Sequence, residues 1–222
     1  ICPAWNNGIS GTLTIANNPS ECSTVTQFKM VCDDDCTIGN LTLTTQAEVN
    51  TFVSTYQTCD TLIGNLTISG GSNINNIHGL SFIKQITGNL TLSGNTNLIN
   101  MKGLQGLIKL TGNLTITGHP NLVSLDSLHH LAVVSGTLSI QNNPVLNEIN
   151  ALSSLDTIGG NLNINNNITL YNCSGVCNVI NNDVILGNIN IINNPNNCST
   201  TEEVTIYCTP PVCPVSGNYI LK

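Results

Sequence analysis

The chain contains no arginine. Its five cationic residues are all lysines, set against 12 Asp and Glu, for a formal net charge of −7. Arginine is the usual reader of phosphates and guanine edges, and basic stripes supply nucleic-acid affinity, so this composition predicts no nucleic-acid partner. Charged residues of either sign make up only 8% of the 222 positions, which leaves solvation to Asn, Thr and Ser. Aromatic residues are equally scarce at 4%, with Trp5 the only tryptophan, so any core must be aliphatic. No apolar run approaches the roughly 20 residues of a membrane-spanning helix, and no membrane insertion is expected. The chain opens at Ile1 rather than Met and shows no signal sequence, so it reads as a processed product or a piece of a longer protein.

Cysteine is plentiful by contrast. Ten cysteines suit an oxidising compartment, unless they hold metal. Zinc sites usually draw on Cys-x-x-Cys pairs or Cys/His clusters, and neither occurs. The expectation is therefore disulfides, a secreted or cell-surface location, and no metal or cofactor.

One short string recurs eight times, as Gly-x-Leu/Ile-x-Leu/Ile beginning at Gly11, Gly39, Gly64, Gly88, Gly112, Gly136, Gly160 and Gly187. The spacings are 28, 25, 24, 24, 24, 24 and 27 residues. Units this short cannot bury their own apolar faces, so they must stack. In the unit from Gly88 the apolar positions are Leu90, Leu92, Leu98, Met101, Leu104, Leu107 and Leu110, and the next two units keep the same register. The first pair alternates as a strand does. After a turn built on Asn-Asn-Pro or a variant, the apolar residues come every third position, which suits 3₁₀-like turns around a common interior. The fold expected is all-β with one short capping helix, a right-handed parallel β-solenoid of coils about 24 residues long.

One segment breaks the period. Thr45-Gln46-Ala47-Glu48 has the form of a capping box, and Val49, Phe52, Val53 and Tyr56 follow at helical spacing. A helix here would cover an end of the stack, and Cys36 and Cys59, which bracket it, are expected to be bonded.

A longer period overlies the coils. Residues 11–32 and 187–208 align without gaps at an offset of 176, with 9 identities in 22 and both cysteines in register. The simplest account is a slice of a tandem array. Residues 1–32 would end one module, 33–35 form an acidic junction, 36–208 make a complete module, and 209–222 supply a linker and the start of the next. Cys22–Cys32 and Cys198–Cys208 would then be equivalent disulfides closing short loops, each stabilising by about 2–4 kcal/mol. Cys173–Cys177 is a further, tight possibility. Cys2 and Cys213 would find partners outside this sequence, or, if the chain is a single domain with similar caps, each other.

The arrangement of Cys36, a capping helix ending at Cys59, an Ile-Gly-Asn-Leu-Thr-Ile strand and Asn-Pro-containing coils resembles the receptor L domain. That leucine-rich β-helical domain occurs in insulin- and EGF-receptor ectodomains, and similar modules occur in large bacterial surface proteins. The resemblance covers most of residues 36–208 and implies the same β-helical fold. In the receptors, ligand binds the outward strand face through exposed apolar and aromatic groups. The matching positions here include Asn65, Thr67, Asn89, Thr91, Asn113 and Thr115, with Thr137, Ser139, Asn161 and Asn163 beyond them. None is aromatic or Arg, the usual energetic anchors of an interface, so the hormone-receptor role does not carry over.

Catalysis on such a fold needs carboxylates converging from neighbouring coils. Asp60, Asp126, Glu148 and Asp156 fall at unrelated offsets within their units, and His78, His119, His129 and His130 are scattered, so no enzyme is expected. Asp33-Asp34-Asp35 suits an acidic linker better than a calcium-stiffened junction. Asn40, Asn65, Asn89, Asn113, Asn167, Asn172 and Asn197 each begin an Asn-x-Ser/Thr glycosylation acceptor. Four of them share one register about 5 Å apart, so an Asn/Thr ladder hydrogen-bonded along the stack is the stronger reading. Its flat polar face also suits a glycan or, less well, ice. Two functional expectations follow. The first is an extracellular tandem-repeat structural or adhesive protein whose partners are neighbouring modules or copies. The second is an ectodomain binding a glycan or protein on its strand face.

Overall fold

A computed structural model describes residues 35–209. They form one parallel sheet of 11 strands with few helices. The strands are β1 (Asp35–Leu43), β2 (Thr61–Ile68), β3 (Gln85–Ile86), β4 (Leu90–Ser93), β5 (Lys109–Leu110), β6 (Leu114–Thr117), β7 (Val133–Val134), β8 (Leu138–Gln141), β9 (Thr157–Ile158), β10 (Leu162–Asn165) and β11 (Ile189–Ile192). The helices are α1 (Gln46–Tyr56), α2 (Cys177–Asn181) and α3 (Thr201–Cys208).

The sheet forks at β2. Its first residues, Thr61 and Leu62, pair with β3, and its last three, Leu66 to Ile68, pair with β4. From there a rank of two-residue strands runs β3-β5-β7-β9 and a rank of longer strands runs β4-β6-β8-β10-β11. Each later coil thus contributes a short strand, a corner and a long strand. The corner is the Gly of the repeat. Gly112 N donates to Gly88 O at 3.1 Å, Gly136 N to Gly112 O at 3.1 Å and Gly160 N to Gly136 O at 2.9 Å. A Cβ at Gly112 would sit 2.5 Å from the Gly88 carbonyl oxygen. Only a residue without a side chain permits that approach, which accounts for the first letter of the motif.

The apolar positions of the repeat become columns of buried side chains. Leu66, Leu90, Leu114, Leu138 and Leu162 make one, and Ile68, Leu92, Ile116, Ile140, Ile164 and Ile191 the next, every one at 0% exposure. The every-third spacing arises from 3₁₀ turns. Leu104 N donates to Met101 O and Leu107 N to Leu104 O, and the same pair of bonds recurs at Leu128 and Leu131 and at Leu152 and Leu155. Burying each Leu or Ile contributes about 1.5–3 kcal/mol.

α1 forms where the capping box stands: Glu48 N donates to Thr45 Oγ1 at 3.2 Å and Thr45 N to Glu48 Oε2 at 3.1 Å. The Thr44 backbone N–H and hydroxyl, with a smaller contribution from Thr45, donate to the Glu48 carboxylate and hold it below its ordinary pKa. The helix buries Val49 and Phe52, with the Phe52 ring 6.3 Å from that of Phe82. At the far end α3 folds back onto β11. Thr200 bridges Ile192, Ile191 N donates to Thr201 Oγ1, and that hydroxyl donates to Ile189 O. The outer edge of β11 is thereby covered, the usual remedy for a strand that would otherwise recruit another.

Cys36 and Cys59 are bonded, as their positions around α1 predict, but the expected C-terminal pairings are wrong. Cys198 bonds Cys173, and Cys208 bonds Cys177, with Cα–Cα distances of 5.8 and 4.9 Å. Cys198–Cys208 fails because α3 lies between them. Its eight residues rise about 12 Å, beyond the roughly 7 Å a disulfide spans. Cys173 instead occupies the inward column of Ile77, Met101, Leu125 and Ile149, where its sulfur faces the next coil rather than Cys177. The Cys22–Cys32 pairing, Cys2 and Cys213 lie outside the described residues.

Candidate functional site: the polar strand face and its ladders

The outward side chains of the long strands form two columns. In one, Asn40, Asn65, Asn89, Asn113, Thr137, Asn161 and Asn188 follow each other coil by coil. Asn65 Oδ1 accepts from Asn89 N at 2.7 Å, Asn89 Oδ1 from Asn113 N at 2.7 Å and Asn113 Oδ1 from Thr137 N at 2.7 Å. Thr137 Oγ1 continues the chain to Asn161 N and Asn161 Oδ1 to Asn188 N. The side-chain oxygen of each coil thus satisfies a backbone N–H that the corner would otherwise leave unpaired. The second column, Thr67, Thr91, Thr115, Ser139, Asn163 and Asn190, stands in strand register on the same face. Within it Asn163 Nδ2 donates to Ser139 Oγ at 3.2 Å. The face carries no aromatic or charged group in either column.

A second ladder is hidden inside the coils. Asn95, His119, Asn143 and Asn167 are completely buried, and Asn194 nearly so at 5% exposure. Asn143 Oδ1 accepts from His119 N at 3.1 Å, Asn167 Oδ1 from Asn143 N at 3.1 Å and Asn194 Oδ1 from Asn167 N at 2.9 Å. Their amides donate inward, Asn143 Nδ2 to Ile116 O, Asn167 Nδ2 to Ile140 O and Asn194 Nδ2 to Ile164 O. The preceding residue must turn left-handed: Gly94, Gly118, Asn142, Asn166 and Asn193 have φ between 56° and 70°. Only Gly and Asn adopt that conformation readily. The repeated Asn-Asn therefore has two separate duties, a turn and a ladder rung. The recurrence of Asn at 95, 143 and 167, at multiples of 24 residues with His119 between, was the available signal for the buried ladder.

His119 interrupts it. Its Nδ1 lies 3.4 Å from the Asn95 carbonyl, while Nε2 is buried with no hydrogen-bond partner. Burial holds its pKa below the ordinary value, with the nearby Asn95 and Leu92 carbonyls partly opposing.

Asn167 is a ladder rung at 0% exposure with its amide nitrogen engaged, so as a glycosylation acceptor it is ruled out in the folded chain. Asn172 is half-buried with Oδ1 accepting from Ser174 N, next to the bonded Cys173. Asn40, Asn65, Asn89 and Asn113 belong to the surface ladder, with Asn40 and Asn113 exposed and Asn65 and Asn89 half-buried, and Asn197 is exposed outside it. Asp60 pairs with Lys84 at 2.9 Å on the surface, an arrangement of small energetic consequence. Among the described residues no three His, Cys, Asp or Glu converge as metal ligands, and no helix is long and apolar enough to cross a membrane. Asp33 and Asp34 lie outside the described residues. Comparison with protein-family models, with curated proteins and with solved structures finds no match to this chain.

Proposed function

We propose that this chain is a segment of a secreted or cell-surface tandem-repeat protein, resembling receptor L domains, whose role is structural or adhesive and non-catalytic. The observation that carries the reading is where the polar side chains spend their hydrogen bonds. Asn89, Asn113, Thr137 and Asn161 each bond along the stack to the next coil rather than toward a shared point in space. Such a column strengthens the rod and leaves no convergent acid–base or nucleophilic group. Three disulfides tie the described coils together and support an oxidising compartment. Parallel strands joined by crossovers wind right-handed in about 98% of cases, which supports a right-handed solenoid. The 9-in-22 match between residues 11–32 and 187–208 supports modules repeating end to end, with 36–208 as one of them.

Electron microscopy of native material tests this. A fibre with a period near one module's length is the expected result, and compact single particles from the full-length natural product would refute it. The second reading, recognition of a glycan on the strand face, is favoured by the in-register hydroxyls of Thr67, Thr91 and Thr115. Glycan-array binding lost in Thr91→Val, with the fold intact, would select it.

A further inference from the structure

Between β6 and β7 the chain carries two neighbouring histidines, His129 and His130, both exposed and outside either ladder. They follow the 3₁₀ turn of Asp126–Leu128, and the coils on each side hold them in place. From the following coil, Ser154 Oγ donates to His129 O at 2.6 Å. Toward the preceding coil, His130 Nδ1 lies 2.8 Å from the Gln105 carbonyl oxygen. The His129 ring turns back on its own turn, with Nδ1 at 2.6 Å from the Asp126 carbonyl oxygen.

Both ring contacts are made through Nδ1 to a carbonyl. A carbonyl only accepts, so in each neutral ring Nδ1 carries the proton and Nε2 keeps its lone pair. Among the described residues neither Nε2 has a hydrogen-bond partner. This is the form in which histidine ligates a metal: the backbone carbonyl on the far nitrogen fixes the tautomer and the ring orientation.

The rings also stand close together, with centroids 4.2 Å apart and planes tilted by 56°. A metal–nitrogen bond of about 2.0–2.1 Å puts each ring centroid about 3.2 Å from the ion. Two rings bound at right angles are then about 4.5 Å apart, and two at the tetrahedral angle about 5.2 Å. The observed separation is nearer the first value. Square-planar and tetragonal nitrogen sites suit Cu²⁺ and Ni²⁺, and Cu²⁺ stands highest in the affinity order of the divalent series.

We propose that His129 and His130 form a surface site for a divalent transition-metal ion, Cu²⁺ above the others. The two Nε2 atoms bind the ion and its remaining positions are open to water. The sequence expectation of no metal rested on the absence of Cys-x-x-Cys pairs and Cys/His clusters, and adjacent histidines match neither pattern. Because neither residue is a ladder rung, the site stands whether or not the chain forms fibres.

The test uses the full chain with one equivalent of Cu²⁺. Electron spin-echo envelope modulation, which counts coordinated imidazoles, should find two per ion in the parent and one in H129Q or H130Q. The H78Q variant, which alters an exposed histidine elsewhere, should keep both. Cu²⁺ affinity should fall by about tenfold or more in H129Q and in H130Q, since losing even an outer-shell partner costs about 10–100-fold. Fewer than two imidazoles in the parent, or an unchanged count and affinity in the H129Q/H130Q double variant, would overturn the proposal. A second measurement needs no metal. Ring ¹⁵N shifts of the metal-free chain at pH 8 should report the Nδ1–H tautomer for both residues, and an Nε2–H tautomer in either would also overturn it.

Discussion

Replacing His119 by Asn should stabilise the protein, and more so in acid. In the neutral imidazole one nitrogen donates and the other accepts. Nδ1 faces the Asn95 carbonyl and is the donor, which leaves Nε2 a buried acceptor without a donor. An orphaned buried group of this kind costs about 1–3 kcal/mol. Asn at this rung would instead place an amide where Asn143 and Asn167 have theirs, donating to the Leu92 carbonyl as those two donate to Ile116 and Ile140. Loss of ring volume offsets part of the gain, so a net stabilisation of about 1–2 kcal/mol is expected at pH 7. For a domain of this size that corresponds to a rise of about 3–6 °C in Tm.

The acid arm follows from the depressed pKa of His119. The unfolded chain binds the proton at about pH 6.5 and the folded chain only at lower pH. The parent should therefore lose stability as pH falls below about 6.5, at up to about 1.4 kcal/mol per pH unit. H119N removes this contribution. Urea melts of both proteins at pH 7.5, 6.5, 5.5 and 5.0 measure it. Parallel stability curves across this range, or a variant less stable at pH 7.5, would refute the reasoning.

Asn143→Ala should destabilise by about 2–4 kcal/mol, because it strips the acceptor from His119 N and a donor from Ile116 O inside the stack; a urea midpoint within error of the parent's would contradict this. Gly103→Ala should cost about 1–3 kcal/mol, since φ is +118° and a Cβ would lie 1.8 Å from the Ile77 carbonyl oxygen, and thermal melting reads the loss. Cys173→Ser should cost about 3 kcal/mol, and non-reducing peptide mapping of the parent should join Cys173 to Cys198 rather than to Cys177. In material secreted from a eukaryotic host, intact-glycopeptide mapping should find Asn197 occupied and Asn167 bare, since the first is exposed and the second is a buried rung.

Much of the fold was legible because a repeat writes its own geometry. Seven apolar positions recurring every 24 residues can be satisfied together only if the coils stack in register, and the columns of Leu66, Leu90 and Leu114 follow from that alone. The capping box of α1 was equally local, since Thr45 and Glu48 meet within one turn. The surface column of Asn65, Asn89 and Asn113 was readable from period and alternation. The buried rungs at Asn143 and Asn167 were harder to read, because an Asn in such a turn looks the same whether it faces solvent or a carbonyl of the adjacent coil.

The sequence by itself thus determined the coil length, the inward residues and the place of α1, all set by spacing along the chain, whereas α2 and α3 stand where no helix was expected. Only the tertiary structure decided the partners of Cys173, Cys177, Cys198 and Cys208. The match between residues 11–32 and 187–208 favoured Cys198 with Cys208, but α3 holds those ends apart while stacking brings Cys173 under Cys198 and Cys177 beside Cys208. It also decided that Asn167 is a rung and not a glycan acceptor. Both outcomes depend on which residues of different coils come to lie one above another, and that distance is measured across the stack, not along the chain.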